Sequence, residues 1–563
     1  MRFHVNGELD TPNEGIGGDR AALQLSTRLV AGDSQIDTGK RHLVEVDAGI
    51  ADTDPTDLEG LATPIAPAVA SAVESETDDT RTKQPRSLRQ MATHGSLWTI
   101  AGYGASQVLR FGSNLVLAKL LFTEAFGVMA IVNGIMQGLV MLSDVGIGQS
   151  IIRHTRRDDP AFYNTAWTVQ IVRGFLLTLI GLALAWPVGQ FYDPFLTRFI
   201  AVISLTTLIA GFNSTNIFTA NRDLQLAQIT LMDLTTQTIG IAVTVGLAWR
   251  YHSIWSLVYG AIVSVSIRMA LSHLILSGPS NRLCWQTAAV RELFSFGRWI
   301  FLSTMFTFLG LQSDKLILGR LVQLNELGIY AVAFAMTATI AGIFEQLVYR
   351  VLMPAMVHVS KASSSRFSEL VLRSRQVILM AAALAVANLI LLAPLIFRTL
   401  YDSRWQSAGW MAQLLCFGLW FTLLQRTSEA CLLATDKSRA LATANAINFV
   451  TTLLLAPLGF YWFGIAGFIG GWTLGNLSAV IVLDRELMRH GVPVARQDVS
   501  KTCLMIAFVA AGFALEHFLR PLFDGVSLGW IAEVLSAVTI SCIGAAMFVV
   551  RNRKFVFVRS GVV

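Results

Sequence analysis

Charged residues are scarce in this sequence: Asp, Glu, Lys and Arg make up 14% of its 563 residues, against about 25% in soluble domains. With 53% apolar residues and a mean hydropathy of +0.56, this scarcity excludes a water-soluble globular surface over the whole chain. Cysteine is also scarce, at five residues. Because the five show no metal-ligand spacing, neither a zinc site nor a disulfide framework is expected. The first ten residues lack the apolar stretch of a cleavable signal peptide.

Apolar residues gather instead in runs of roughly 20, the length that a helix needs to cross about 30 Å of hydrocarbon. These runs predict an all-α integral membrane protein with about fourteen transmembrane helices. The predicted spans are 95–118, 125–150, 164–187, 196–219, 226–249, 253–276, 295–319, 326–353, 371–397, 408–433, 440–461, 464–484, 502–519 and 528–550.

The N-terminal segment differs from the rest of the chain. Residues 1–80 hold sixteen acidic and five basic residues, a net charge of −11, and almost no aromatic residues. Such a composition buries too little apolar surface to fold, so we expect a disordered acidic tail. Either it serves as a docking or regulatory tail, or it is a dispensable extension with translation starting at Met91.

Lys and Arg are distributed unevenly between the connections. Counted in alternate connections, one side of the predicted bundle has 24 and the other has seven. Because cytoplasmic loops carry the excess of basic residues, this asymmetry places both termini in the cytoplasm and favours an even number of spans.

An internal repeat relates the two halves of the bundle. A shift of 201 residues lays Leu115–Leu120 on Leu316–Leu321 and, without a gap, Gly127–Ala130 on Gly328–Ala331. The shift covers six spans, so the repeats are parallel, as is typical of alternating-access transporters. The predicted domains are a tail (1–90), an N-terminal six-helix bundle (91–280), a C-terminal six-helix bundle (281–490), and two extra helices with a basic tail (491–563).

Polar residues inside the spans are the candidates for function, because a charge within the bilayer is costly unless it faces a cavity or a partner. Tyr103, Gln107, Arg110 and Asn114 recur at i, i+4, i+7 and i+11, which places them on one helix face. The equivalent helix of the second half is similarly polar. Two such helices suit the walls of a water-filled cavity, whose basic excess favours an anionic substrate such as a phosphate or pyrophosphate. The candidate cavity residues are Tyr103, Gln107, Arg110, Asn114, Thr307, Asp314 and Lys315.

Three further residues are candidates for gating or ion coupling: Asp144, Glu345 and Arg350. Structural roles are open for several of these residues. Asp314 and Lys315 can belong to an ion-pair network that joins helices, Arg350 can extend to lipid headgroups, and Asp144 can cap or break a helix.

Two stretches carry a resemblance to a known family. They are Leu142–Ile152 (LSDVGIGQSII) at the end of the second span, and Ser313–Leu321 (SDKLILGRL) followed by Leu327–Ala331 (LGIYA). The chain from about 90 to 555 resembles the polysaccharide branch of the multidrug/oligosaccharidyl-lipid/polysaccharide exporter superfamily. Within this branch it is similar to Wzx-type flippases of the colanic-acid and succinoglycan exporter group. The acidic tail departs from the family pattern.

This resemblance implies a V-shaped pair of six-helix bundles that alternates between inward-facing and outward-facing states. It further implies flipping of undecaprenyl-pyrophosphate-linked oligosaccharide units across a bacterial inner membrane, coupled to Na⁺ or H⁺ and without another cofactor. The implied partners are the lipid-linked oligosaccharide, membrane lipids, and a polysaccharide polymerase and co-polymerase, but no nucleic acid. The alternatives are flipping of lipid II and drug export. A membrane-embedded polymerase is a less favoured alternative, because the outward connections are short.

Overall fold

The computed structural model describes residues 88–143, 146–153, 159–353, 356–357, 364–435, 437–524 and 530–557, and the regular structure within these ranges is helical throughout. The predicted tail 1–90 therefore lies outside the described residues except for its last three. The helices are α1 (Leu88–Leu120), α2 (Thr123–Leu142), α3 (Ile147–Arg153), α4 (Pro160–Phe191), α5 (Leu196–Gly211), α6 (Asn216–Arg222), α7 (Leu226–Tyr251), α8 (Trp255–Leu274), α9 (Thr287–Leu321), α10 (Leu324–Leu347), α11 (Ser364–Leu400), α12 (Ser407–Leu433), α13 (Ser438–Arg489), α14 (Val494–Asp524) and α15 (Trp530–Phe557).

Each predicted span overlaps a long helix, one arm of α13, or a pair of consecutive helices. Ten helices within the described ranges are long and apolar enough to cross a membrane, or eleven when the bent pair α5 and α6 is counted as one span. The polar helices α1 and α9 are outside these ten, and α13 enters as a single helix. The chain is thus a multi-pass helical membrane protein, and the count of fourteen crossings stays a prediction.

Three predicted spans differ in detail from the helices. The span 125–150 was too long, because α2 ends at Leu142 and a separate short helix, α3, follows. The span 196–219 is divided into α5 and α6, which are bent by 61°. At this break the Gln170 Nε2 donates to the carbonyls of Gly211 and Asn213, at 3.1 and 3.0 Å, and so satisfies backbone groups that leave the helix. In the third, α10 continues as a π-helix over Val348–Leu352.

Helix α13 is a hairpin whose two arms meet at Gly464. A straight helix of 52 residues would be about 78 Å long, far more than a bilayer requires. Gly464 has φ 60° and ψ −145°, a conformation that only glycine adopts readily. The arms pack closely, since a Cβ at Gly459 would overlap the carbonyl of Gly467, and one at Gly471 would touch the backbone of Ala456. We call the arms before and after Gly464 α13a and α13b.

The last two helices pack along α11 and are joined to it by ion pairs. Near the start of α11, the fully buried Arg375 donates to Asp498 of α14 at 2.9 Å and to Ser428 at 3.0 Å. At the other end of α11, Arg398 donates to Glu533 of α15 at 2.6 Å. Arg375 lies within the predicted span 371–397, and the structure buries its side chain inside the helix bundle.

The two halves meet where the α1–α2, α9–α10 and α11–α12 turns come together, which we call the seam end of the bundle. There the Trp405 Nε1 donates to the carbonyl of Ala118 at 3.1 Å, and its ring packs edge-on against Phe126. The Tyr192 hydroxyl donates to the carbonyl of Leu316 at 2.9 Å. These contacts close the seam end in this conformation.

Gly127 of α2 and Gly328 of α10 cross at this end. A Cβ on Gly127 would overlap the Leu324 carbonyl oxygen, and a Cβ on Gly328 would overlap that of Thr123. Both the glycines and the residues that they face are 201 positions apart, so the contact is reciprocal, as at a two-fold axis. The reciprocity is consistent with the predicted repeat and marks a close approach between the two halves.

Candidate functional site

A cavity lies between the halves and consists of two adjoining compartments. The first, with a volume of ≈ 710 Å³, is lined by α1, by Asn133 of α2 and mainly by helices of the C-terminal half, and we call it the C-compartment. The second, of ≈ 860 Å³, is lined mainly by α1, α2, α7 and α8, and we call it the N-compartment. The residues that line both, which we call the shared wall, are Arg110, Asn133, Gln312, Lys315 and Ala331.

The polar face of α1 lines this cavity. Tyr103, Gln107, Arg110 and Asn114 all contribute to the C-compartment, as expected for residues that recur every three or four positions along one helix. The Gln107 Nε2 donates to the Tyr103 hydroxyl at 2.7 Å. That hydroxyl in turn lies against Gly342 of α10, where a Cβ would overlap it.

Arg110 and Lys315 are cations of the shared wall that lack a carboxylate partner. Among the described residues, neither side chain has an acidic oxygen within ion-pair distance. The Lys315 Nζ donates to the Gln312 Oε1 at 3.2 Å and lies 4.4 Å from the centre of the Phe334 ring, a cation–π contact. Two uncompensated positive charges therefore face the point at which the compartments join.

The other charges that line the cavity are paired. Arg426 donates to Glu429 at 2.9 Å and lies 3.4 Å from Glu345, so its charge is compensated by two carboxylates. In the N-compartment, Arg268 and Asp233 are 3.0 Å apart. Arg268 and Asp233 neutralise each other, and Arg426 with its two carboxylates has a net charge of −1, so these groups do not attract an anion as the two cations of the shared wall do.

The remaining predicted site residues lie elsewhere. Asp314 is buried outside the cavity lining and accepts a hydrogen bond from the Tyr330 hydroxyl at 2.9 Å. Arg350 lies in the π-helix after α10 and lines neither compartment. Asp144 and the side chain of Thr307 lie outside the described residues.

A wall of amides and aromatic rings also lines the C-compartment, and one of its rings, Phe334, is in contact with Lys315. The sequence analysis did not single it out, because its members are uncharged and are spread over three helices. Asn445 and Asn448 are three residues apart in α13a, and this spacing on one helix face is the signal that could have found them. The wall residues are Phe334, Gln425, Asn445, Asn448, Trp472 and Asn476.

Tyr401 also lines this compartment, from the turn between α11 and α12. Burial raises the pKa of Tyr401 to about 12, because removal from water disfavours the charged phenolate. The hydroxyl is therefore neutral at physiological pH and adds no negative charge opposite the two cations.

Among the described residues no group of three or more His, Cys, Asp or Glu side chains could hold a metal ion.

Comparison with known proteins agrees with this architecture. Residues 116–409 match a family described as "Polysaccharide biosynthesis protein". The chain belongs to this family. It is 25% identical over 289 residues to the amylovoran biosynthesis protein AmsL of Erwinia amylovora, over 48% of this chain and 70% of AmsL. It is 21% identical over 317 residues to the succinoglycan biosynthesis transport protein ExoT of Rhizobium meliloti (strain 1021), over 55% of this chain and 63% of ExoT.

Solved structures with the same fold are transporters. The inward closed conformation of the lipid II flippase MurJ matches with a TM-score of 0.64 at 11% identity, over 82% of this chain and 99% of MurJ. An inward-facing multidrug resistance transporter of the MATE family and MOP superfamily matches with a TM-score of 0.56 at 12% identity, over 68% of this chain and 94% of the transporter. This family member therefore has a flippase-type and transporter-type fold.

Proposed function

We propose that this protein flips polyprenyl-diphosphate-linked oligosaccharide units across the bacterial inner membrane by alternating access, for the synthesis of an exopolysaccharide or capsule. The observation that carries the proposal is the pair of uncompensated cations, Arg110 and Lys315, on the shared wall. A diphosphate has the opposite charge, and cations aimed into a closed cleft attract it strongly. Membership of a polysaccharide biosynthesis family supports the class of cargo.

The proposed transport cycle combines the closed seam end with the predicted topology, in which that end faces away from the cytoplasm. The lipid-linked unit enters the cavity from the cytoplasmic side, its diphosphate binds at the shared wall, and its polyprenyl chain stays in the lipid. The two halves then separate at the seam end and release the sugar on the far side. No covalent bond is made or broken in this cycle, and a Na⁺ or H⁺ gradient would supply the driving force.

The test is complementation of a gene deletion, with secreted polysaccharide and accumulated lipid-linked units measured together. We expect the deletion to stop secretion and to trap intact units on the cytoplasmic face. We expect Arg110→Gln and Lys315→Gln each to lower export at least tenfold, since a charge-assisted hydrogen bond contributes about 1.5–3 kcal/mol. Arg250→Gln, at an exposed arginine that lines neither compartment, is the matched control.

Other outcomes would point to other cargo. Full export by the Arg110→Gln, Lys315→Gln double variant would refute the role of the cations. Death of the deletion strain through loss of cell wall would indicate a lipid II flippase instead. Normal polymer without trapped units would indicate a drug exporter.

A further inference from the structure

The C-compartment differs from the N-compartment in chemistry, although the two share one wall. One wall of the C-compartment consists of amide and aromatic side chains. The N-compartment is lined chiefly by small residues, hydroxyls and the Asp233–Arg268 pair, and although it also has amides, among the described residues it has one aromatic ring, Phe126. In the N-compartment, Ser106 and Gln237 exchange two hydrogen bonds, at 2.6 and 2.9 Å. These two residues therefore satisfy each other's polar groups within the protein.

The amides of the C-compartment are held in place by the α13 hairpin. The Asn448 Nδ2 donates to the Asn476 Oδ1 of the other arm at 3.2 Å, and the Thr452 hydroxyl donates to the Asn448 Oδ1 at 3.1 Å. Gly475 allows this approach, because a Cβ there would overlap the Thr452 side chain. The inner amide pair is thus buried and rigid.

Asn445 stands one turn away and has a different environment. Its Oδ1 accepts a hydrogen bond from the Gln425 Nε2 at 3.1 Å. In the described part of the chain its Nδ2 has no hydrogen-bond partner, and the half-buried side chain lines the cavity. An amide held on its acceptor side presents two N–H donors to whatever occupies the compartment.

An aromatic surface lies beside these amides. Phe334 is half-buried, and its ring packs edge-on against Trp472, with centroids 5.8 Å apart. A pyranose ring has an apolar face of C–H groups and an edge of hydroxyls. Aromatic rings pack against such a face, and amides bind such hydroxyls. A volume of ≈ 710 Å³ lies within the range of about 300–1,000 Å³ for small-molecule sites.

We infer that the C-compartment is the sugar subsite of the cavity and that Asn445 is a specificity-determining contact to the sugar, while Arg110 and Lys315 bind the diphosphate. This inference rests on the proposed function and deepens it, since it divides the substrate between two parts of the site. Affinity for the lipid diphosphate and recognition of the sugar are therefore separable by mutation.

The experiment compares two probes on the purified full-length protein in nanodiscs. One is undecaprenyl diphosphate, and the other is the lipid-linked oligosaccharide fraction extracted from the deletion strain. We expect Asn445→Leu to raise the Kd for the glycosylated probe about five- to tenfold, because the variant loses a hydrogen bond to the sugar and leaves a sugar hydroxyl without its partner. The Kd for undecaprenyl diphosphate should stay unchanged. Lys315→Gln should raise both. Thr443→Leu, exposed on the same arm and outside both compartments, is the matched control.

The possible results are distinct. An equal loss for both probes in Asn445→Leu, or no loss for either, would overturn the sugar subsite. Binding of undecaprenyl diphosphate also reports whether the variant is folded. If the wild-type protein binds neither probe, the proposed function fails and the inference fails with it.

Discussion

Substitution of Gly127 by alanine tests how the seam end is held closed. The added Cβ would overlap the Leu324 carbonyl oxygen and would lie 2.9 Å from its carbon and 3.1 Å from the Gly328 nitrogen. Because carbon atoms pack comfortably at about 3.5–4.0 Å, α2 and α10 must separate by roughly 1 Å. Overpacking of this kind costs about 1–3 kcal/mol.

This cost falls on the closed seam and not on a state in which the halves have separated. The equilibrium should therefore shift toward the open seam by about 5- to 150-fold. Gly328→Ala should do the same, and the double variant should cost less than the sum of the two, because one separation relieves both overlaps.

Labelling of a cavity cysteine measures the shift. Ala331→Cys lies on the shared wall, and the exposed Cys503 and Cys542 are first replaced by serine. With the topology predicted from Lys and Arg, the seam end faces away from the cytoplasm. An impermeant maleimide added to whole cells should thus label Ala331→Cys faster in Gly127→Ala. Gly246→Ala, where a Cβ would meet no atom within 4 Å, is the control. Equal labelling rates in the two variants would refute the reasoning.

Two further predictions concern stability in detergent. Arg375→Met should lower the free energy of unfolding by about 3–5 kcal/mol, because it leaves Asp498 buried without its partner. Arg373→Met, at a side chain that is 65% exposed, should change this free energy by less than about 0.5 kcal/mol. Comparable losses in the two variants would contradict a stabilising role of the buried Arg375–Asp498 ion pair. Gly467→Leu should lower the melting temperature, because the added side chain forces the two arms of α13 apart. Gly470→Leu, at a glycine with open space around it, should leave the melting temperature unchanged. Equal shifts of the melting temperature in the two variants would contradict close packing of the two arms.

The helices were predictable because apolar runs of bilayer length report directly on the cost of burying polar groups in lipid. The two arms of α13 correspond to the predicted spans 440–461 and 464–484. The internal repeat stays a prediction from the sequence, and the reciprocal contact of Gly127 and Gly328 is consistent with it. The contact between these glycines could not be predicted from the sequence. The 201-residue offset identifies equivalent positions in the two halves but does not show which residues of the two halves are in contact.

The candidate site was predictable where charge or periodicity marked it. The face of α1 and the cation Lys315 line the cavity, as their spacing and charge indicated. Asp314 shows the limit of such reasoning, because an acidic residue next to Lys315 on the same helix turns away from the cavity toward Tyr330. Asn445 was missed because a neutral amide in an apolar run carries no strong signal until its partner, Gln425, is brought beside it.

Flipping in a reconstituted system tests the central claim most directly. Purified protein is placed in liposomes that contain the lipid-linked oligosaccharide fraction, and the units that reach the outer leaflet are measured with a glycosidase or lectin that cannot cross the bilayer. We predict that the wild-type protein exposes the units well above protein-free liposomes, and that the Arg110→Gln, Lys315→Gln double variant does not. Equal exposure with the wild-type protein and without protein would contradict the account.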